Sequence, residues 1–393
     1  MNAILLLEAG QDGEDGAWVL APVAGLPLAL RAVLTLAAGG AKSVTLACGA
    51  REAAAISPHL DAWRRRRGMP TVTQAEGSVE RFTTQETPLI VADGRYFFTA
   101  TDVRRALEAG PHDAEVQEAG SAAAASSPFH PEPIHVGMKG RDIDLTTVSG
   151  RHETKRRLLA GLHKPTDGWF ARRLNRPLSL RLSSRLAGLP FSPSFYTAVT
   201  FAVGAAAGVV SAFGGYWNLL AGGILFQAAS VLDGVDGEIA RLTFRCSRTG
   251  ERLDSISDDL TNVVYLTGLT IGVYRDTGLR VLALLGAAAV GLDLLTRVVL
   301  YTTLVLKGLP VTLVEYESRL RGLGARATPL ERLVAWIAPM AKRDLQAWLA
   351  FAFAAAGAAW LTLVLWAVGA VVGAPVVLTR VRRLAFQTNT HGP

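Results

Sequence analysis

Apolar residues are distributed in two different ways along this 393-residue chain. Up to about residue 120 they come in short runs, AILLLEA, SVTLACG and PLIVADG, separated by stretches with helical spacing such as Pro27 to Ala38. Short apolar strands alternating with helices predict a soluble α/β domain over residues 1–120, with helices on the faces of a parallel sheet. The first run lacks a basic segment before it and leads into Glu8, Asp12, Glu14 and Asp15, so a buried strand is expected there rather than a signal peptide. Beyond Arg185 the pattern changes. No charged residue occurs between Arg185 and Asp233, room for two spans of about 20 residues joined by a turn near Phe213 to Asn218. Two further spans are expected near residues 256–274 and 279–306. A second charge-free stretch, Leu345 to Thr379, predicts two shorter or tilted helices with Gly357 near the turn. The expected body is therefore an α-helical integral membrane domain of six transmembrane helices over residues 190–385.

Between the two patterns lies AEVQEAGSAAAASSPFHPEPIH, a low-complexity stretch within an expected linker at 121–164. At 165–189 the chain is basic and amphipathic: Trp169, Phe170, Leu174, Leu178 and Leu182 alternate with Arg172, Arg173, Arg176, Arg181 and Arg185. That pattern predicts a helix lying in the membrane interface, a soluble linker helix being the plainer alternative.

Composition agrees with a soluble head on a membrane body, since half the residues are hydrophobic and mean hydropathy is +0.28. The net charge of +7 comes from arginines clustered beside the apolar spans, as the positive-inside rule and attraction to anionic lipid would have it. An even number of spans leaves the Arg172 to Arg185 cluster and Arg380, Arg382 and Arg383 on one side. Head and site are thus expected to face the cytoplasm from the cell inner membrane. No recognised nucleic-acid motif accompanies the arginines, so a nucleic-acid partner is not expected. Cys48 and Cys246 match no metal-ligand spacing and imply neither a disulfide framework nor a zinc site.

The candidate chemistry sits where the second span runs SVLDGVDGEIAR and the third begins GERLDSISDD. On helices, Asp233 and Asp236 are i and i+3, while Asp254 and Asp258 are i and i+4, so each pair shares a face and antiparallel neighbours would bring the pairs together. Four unneutralised carboxylates at a membrane boundary cost several kcal/mol unless a cation compensates them, and a hard divalent ion with oxygen ligands is the natural one. Gly237 and Ala240 leave room for a ligand near the backbone. Arg241 supplies a positive group for phosphate, and Gly250 would let the connecting segment turn closely over the site.

Together Asp233, Asp236, Gly237, Ala240, Arg241, Gly250, Asp254 and Asp258 reproduce the pattern D-x2-D-G-x2-A-R-x8-G-x3-D-x3-D, and the chain thereby resembles the CDP-alcohol phosphotransferases. Eight fixed positions at residue frequencies of roughly 5 to 10 per cent coincide by chance about once in a billion sites. The resemblance covers about residues 165–385. It implies a six-helix membrane domain in which Asp233, Asp236 and Asp254 bind Mg2+ (or Mn2+) and the CDP diphosphate, with Gly237, Ala240, Arg241 and Gly250 at the CDP. It also implies Asp258 as the catalytic base, with a share in a second metal. The partners so implied are a CDP-alcohol donor, a hydroxyl acceptor and membrane lipid, and a homodimer is the expected assembly. KPTDGW at 164–169, NRPLS at 175–179 and KRDL at 342–345 look like the inositol-phosphate-using branch, whereas SPSFYT at 192–197 has Ser194 where many members carry asparagine. Aspartates in membrane helices also build ion or proton pathways, but such pathways do not require Gly237, Ala240, Arg241 and Gly250 at these spacings.

The head resembles, in outline, the Rossmann-like nucleotidyltransferases of sugar phosphates. Where that family has L-A-A-G-x-G-x-R-L, this chain has LEAGQDGEDGAW, without the arginine, and Pro22 is followed by Val23 where a lysine belongs. Asp93 would occupy the usual metal-binding position. A degenerate head is expected, the alternative being a bifunctional enzyme whose head makes the CDP-linked donor. For the acceptor, Arg297, Lys342 and Arg343 are the candidate phosphate-binding residues, and Asp293 with Arg297 forms an i, i+4 pair inside the fourth span.

Overall fold

The computed structural model describes residues 2–7, 16–65, 68–76, 89–113, 134–136, 143–163, 169–306, 343–371 and 374. The chain divides into two compact units, one made of residues 1–162 with 186–189 and 242–244, the other of the remainder.

The first unit holds a parallel sheet. Strands β1 (Asn2–Leu7), β4 (Ser43–Cys48), β5 (Thr71–Glu76), β6 (Leu89–Asp93) and β7 (Ile134–Val136) lie in the order β5-β4-β1-β6-β7, every neighbouring pair parallel. β2 (Pro22–Val23) and β3 (Leu26–Pro27) form a separate small hairpin. β1 is central, and its continuous apolar run leaves Ala3, Ile4, Leu5 and Leu7 buried, as expected of a strand covered on both faces. Helix α1 (Leu28–Gly39) is apolar almost all round and correspondingly buried; it ends at Gly40, whose φ of 117° closes the helix with its N–H on the carbonyls of Leu36 and Ala37. α2 (Ala50–Arg64) and α3 (Ala100–Asp113) follow β4 and β6.

This unit reaches past the boundary expected at residue 120. Part of the stretch read as a linker, 121–164, supplies edge strand β7, and Leu145 joins the apolar core. Helix α4 (Val148–Ala160) starts on Thr147, whose hydroxyl accepts from the Gly150 N–H at 3.0 Å. Three residues are enough for an edge strand, and so short a run among Pro, His and Glu carries no visible strand signal.

In the second unit a π-helical turn, Ala171–Asn175, leads into α5 (Arg176–Leu186). Ser192 caps α6 (Pro193–Ala212) by accepting from the Phe195 N–H, and Pro193 stands at the first turn, so Ser194 in place of asparagine leaves the cap intact. Gly214 and Gly215, with φ of 73° and 77°, reverse the chain into α7 (Tyr216–Leu242). The Arg245 N–H bonds the Ala240 carbonyl at 2.8 Å, Ser247 caps the next helix, and α8 (Arg248–Thr277) follows. Gly278 at φ 68° separates it from α9 (Arg280–Leu306). α10 (Arg343–Ala355), Gly357 at φ 73° and α11 (Trp360–Val371) complete the described elements.

Among the described residues three helices, α6, α7 and α9, are long and apolar enough to cross a membrane. The other expected spans fall outside that set. α8 has 30 residues, but Arg248, Glu251, Arg252, Asp254, Asp258 and Asp259 crowd its first half. Of α10, 13 residues are described, about 20 Å at 1.5 Å per residue, and the residues before Arg343 lie outside the described ones.

Small residues set the packing. A Cβ on Gly268 of α8 would overlap the carbonyl of Gly208 on α6, and one on Gly272 would overlap that of Ser211. The two backbones therefore touch, the arrangement by which helices associate where lipid removes the hydrophobic drive. Beside this seam Phe226 stacks on Tyr265 with ring centres 3.9 Å apart, and Ala347, Ala350 and Ala354 of α10 join the same core.

Gly268→Ala should therefore lower stability by about 1–3 kcal/mol through overpacking, read as a lower unfolding midpoint in detergent. Gly291→Ala on α9, where a Cβ would meet nothing within 4 Å, should lose nothing. Equal midpoints for the two variants would show that the α6–α8 backbone contact does not set the packing.

Candidate active site

The short 243–247 connection makes α7 and α8 antiparallel neighbours, and their acidic ends meet. Asp233, Asp254 and Asp258 present carboxylate oxygens that lie within 4.8 Å of one another. All three side chains are partly buried. Like charges this close in a partly dehydrated site repel strongly, so the arrangement needs cations.

The described structure supplies one. Arg343, at the start of α10, donates from Nη1 to Asp233 Oδ1 at 3.1 Å and also to Asp258 Oδ1. Its side chain is 13% exposed, and Nε and Nη2 are buried with no hydrogen-bond partner among the described residues. One guanidinium against three carboxylates leaves an excess of negative charge. Three hard oxygen donors from two rigid helices fit a divalent ion of the Mg2+ or Mn2+ kind.

Asp236 lies deeper, 4% exposed, and its carboxylate is turned to α6, where Thr197 Oγ1 donates to it; the Gly237 N–H donates to its other oxygen. The structure thus brings three of the four expected aspartates into one cluster and places the fourth beside it. A Cβ on Gly237 would sit 3.6 Å from Arg241 Nη1, so the bare glycine leaves space next to that guanidinium, and Ala240 lies between them on the helix. Gly250 is found in the first turn of α8, its N–H on Ser247 Oγ at 3.0 Å, not in a loop above the site.

On the far side of α8 the acid following Asp258 belongs to a second network. Asp259 accepts from Arg297 and from the Tyr301 hydroxyl, and Arg297 Nε also donates to Asp293 at 2.7 Å. The i, i+4 pair read from sequence is present, with Asp259 as an additional partner of Arg297. Lys342 lies outside the described residues.

Two groups near the site were not singled out from sequence. Thr197 is an ordinary polar residue in an apolar helix, and its partner is 39 positions away. Glu238, fully buried, accepts from Arg176 Nη1 at 2.6 Å and from Ser179 and Ser183 at 2.7 Å. A signal for the second was available, because Arg176 and Ser179 belong to the NRPLS segment.

In the first unit Asp93 stands at the C-terminal end of β6, beside central β1, where strand order reverses and ligands of open α/β sheets bind. Its carboxylate is 3% exposed and closed on both oxygens by Arg95, with Nε at 3.1 Å from each and Nη2 at 2.6 Å from Oδ2. That hydrogen bond holds the Arg95 pKa above its ordinary value despite burial. The glycine- and acid-rich loop at residues 8–15 lies outside the described residues.

Residues 191–365 match the model of the CDP-alcohol phosphatidyltransferase family, a stretch that takes in α6 to α9 and the carboxylate cluster. Over 149 residues the chain is 30% identical to the bifunctional IPC transferase and DIPP synthase of Archaeoglobus fulgidus, covering 38% of this chain and 29% of that protein. Proteins of the same name from Aquifex aeolicus and Thermococcus kodakarensis are 35% identical over 130 and 158 residues, or 33% and 39% of this chain. The aligned stretches span only 29% and 35% of those two relatives.

Because Arg343 is the cation that holds Asp233 and Asp258, Arg343→Ala should destabilise the protein in chelator by about 1–3 kcal/mol. Mg2+ should then raise the unfolding midpoint of the variant by more than it raises that of wild type. Equal midpoints in chelator would mean that the two ion pairs contribute nothing.

Proposed function

We propose that this chain, with a CDP-alcohol phosphatidyltransferase domain at residues 191–365, transfers a phospho-alcohol group from a CDP-alcohol donor to a hydroxyl acceptor and releases CMP. The observation that carries the reading is the convergence of Asp233, Asp254 and Asp258 between two neighbouring helices, inside the family match. Asp233 and Asp254, joined by Asp236 once its carboxylate turns from Thr197, would hold Mg2+ or Mn2+ together with the donor diphosphate. Such an ion, when bound, offsets diphosphate charge and makes CMP a better leaving group.

The chain's own residues do the rest. Arg241, beside the space left by Gly237, faces the donor phosphates. Asp258, one turn beyond Asp254, takes the proton of the acceptor hydroxyl as its oxygen attacks the distal phosphorus. Little covalent help is needed for an in-line displacement, so orientation and charge supply most of the acceleration. Of the expected acceptor residues, Arg343 suits a phosphate best: Nε and Nη2 form the edge of the guanidinium that grips two oxygens at once, and neither has a hydrogen-bond partner among the described residues. Arg297 has both Nη1 and Nε engaged by carboxylates, so its Nε edge is taken and it suits the role less. An inositol phosphate acceptor agrees with the NRPLS and KRDL segments. We further read α8, α10 and α11 as completing a six-helix body, with the site and head on the cytoplasmic side and a homodimer as the assembly.

A second reading, that the head also makes the CDP-linked donor, is favoured by the bifunctional names of the relatives. Against it stands the Asp93 carboxylate, saturated by Arg95. We therefore assign phosphotransfer alone to this chain. Full-length protein given CTP and inositol phosphate should form no CDP-inositol, and its appearance would give the head the second activity.

For phosphotransfer, purified protein should release CMP from CDP-diacylglycerol or CDP-inositol in the presence of an acceptor, and chelator should stop it. Asn at 233, 236 or 254 should abolish turnover and weaken donor binding. Asp258→Asn should lose about a hundredfold to ten-thousandfold in turnover with a much smaller change in donor affinity. Undiminished CMP release in chelator would remove the metal from the mechanism.

A further inference from the structure

The back of α7 is held by a polar frame that the reaction as described does not use. Gln227, Ser230, Gly234 and Glu238 follow one another at i, i+3, i+7 and i+11, a single stripe on a helix turning 100° per residue. Asn175, the last residue of the π-helical turn, accepts from Gln227 Nε2 at 2.9 Å and donates from Nδ2 to Ser230 Oγ at 3.2 Å. A Cβ on Gly234 would lie 3.2 Å from Ser179 Oγ, so α5 comes close to the backbone there. Glu238 then receives Arg176, Ser179 and Ser183. Asn175 also accepts from Trp348 Nε1 at 3.0 Å, on the same helix as Arg343.

From the centre of that stripe Asp233 and Asp236 project about 105° and 165° around the helix. The frame therefore grips the side of α7 away from the site and leaves the carboxylates clear. Rotation is what such a grip controls. A carboxylate lies about 5–6 Å from the helix axis, so a 20° rotation would carry it roughly 2 Å. A metal site tolerates about 0.2 Å.

We propose that Glu238, held by Arg176, Ser179 and Ser183, is the positioning residue that fixes the rotation of α7 and so aims Asp233 at the metal and keeps Asp236 beside it on Thr197. A buried ion pair adds little stability over apolar side chains of the same volume, but it specifies one register where packed leucines would accept several. The π-helical turn serves the same end, since its extra residue per turn brings Asn175 and Arg176 onto the buried face together. The proposal rests on the metal reading above and on no particular donor or acceptor.

The test measures Mn2+ binding to full-length protein in detergent by electron paramagnetic resonance, without substrate, alongside size-exclusion elution and CMP release. Glu238→Gln, which loses the charge and one acceptor oxygen, should elute as wild type and bind Mn2+ about tenfold more weakly. The double variant Ser179→Ala with Ser183→Ala keeps Glu238 and Arg176 and should weaken binding by about threefold. Its turnover at saturating Mn2+ should recover toward wild type. A folded Glu238→Gln protein with wild-type Mn2+ affinity overturns the proposal. If that variant does not fold, wild-type affinity in the folded serine variant overturns it instead. Wild-type protein that binds Mn2+ but releases no CMP would sink phosphotransfer and leave the positioning role standing. Absence of Mn2+ binding in wild type would sink both.

Discussion

Carboxylates packed between membrane helices have to be compensated, and much of the second unit is arranged around that requirement. An isolated charge withdrawn from water costs several kcal/mol, and among the described residues most of the buried acids have a cation or hydroxyl directed at them, Asp254 excepted. Asp233 and Asp258 share Arg343, Asp236 takes the Thr197 hydroxyl, and Asp259 takes Arg297 and Tyr301. Glu238 takes Arg176 and two serines. These partners come from α5, α6, α9 and α10, so satisfying the acids on α7 and α8 recruits nearly every other described helix of the unit. The charge problem and the folding problem are in this sense one problem.

Close approach is the second requirement, because a carboxylate bonded across a helix pair fixes the interaxial distance. Gly208 against Gly268 and Gly222 against Ser211 remove the side chains that would hold α6, α7 and α8 apart. With backbones in contact, Thr197 on α6 reaches Asp236 on α7 despite its short side chain. Larger residues at those glycines would strain the core and also lengthen the Thr197–Asp236 hydrogen bond, coupling packing along the seam to geometry in the site.

Much of this was legible in the sequence, and the reasons are local. The turns expected near Phe213 to Asn218 and at Gly357 are where Gly214 and Gly357 reverse the chain, and Gly278 falls between the spans expected at 256–274 and 279–306, because a polar or glycine-rich turn is what ends a span. The i, i+3 and i, i+4 spacing of the aspartates put them on shared faces, since helical periodicity holds wherever the helix itself holds. Strand β7 was not legible, because three residues paired with a strand 44 positions earlier have no periodicity to read. Nor was the Asp93–Arg95 pair, two residues apart around a turn whose conformation decides whether they meet.

Helix α5 shows why the remainder was hidden. Its sequence alternates leucine with arginine, the pattern read above as a helix lying in the membrane interface, and that pattern does not say which residues dock on the protein. In the structure Asn175, Arg176, Ser179 and Ser183 are buried, while Leu178 is 48% exposed and Arg181 and Arg185 are exposed. A hydrophobic pattern identifies the inward face only where the neighbour offers an apolar surface. Here the neighbour is the acid-bearing turn of α7, so the face that docks is the one able to satisfy Glu238 and Ser230, while Leu178 turns outward and Leu174, Leu180 and Leu182 are only half-buried. Outward leucines beside arginines suit a membrane interface as well as inward ones suit a core. The same periodicity therefore fits both orientations, and the choice between them was made by a buried glutamate more than 50 residues away.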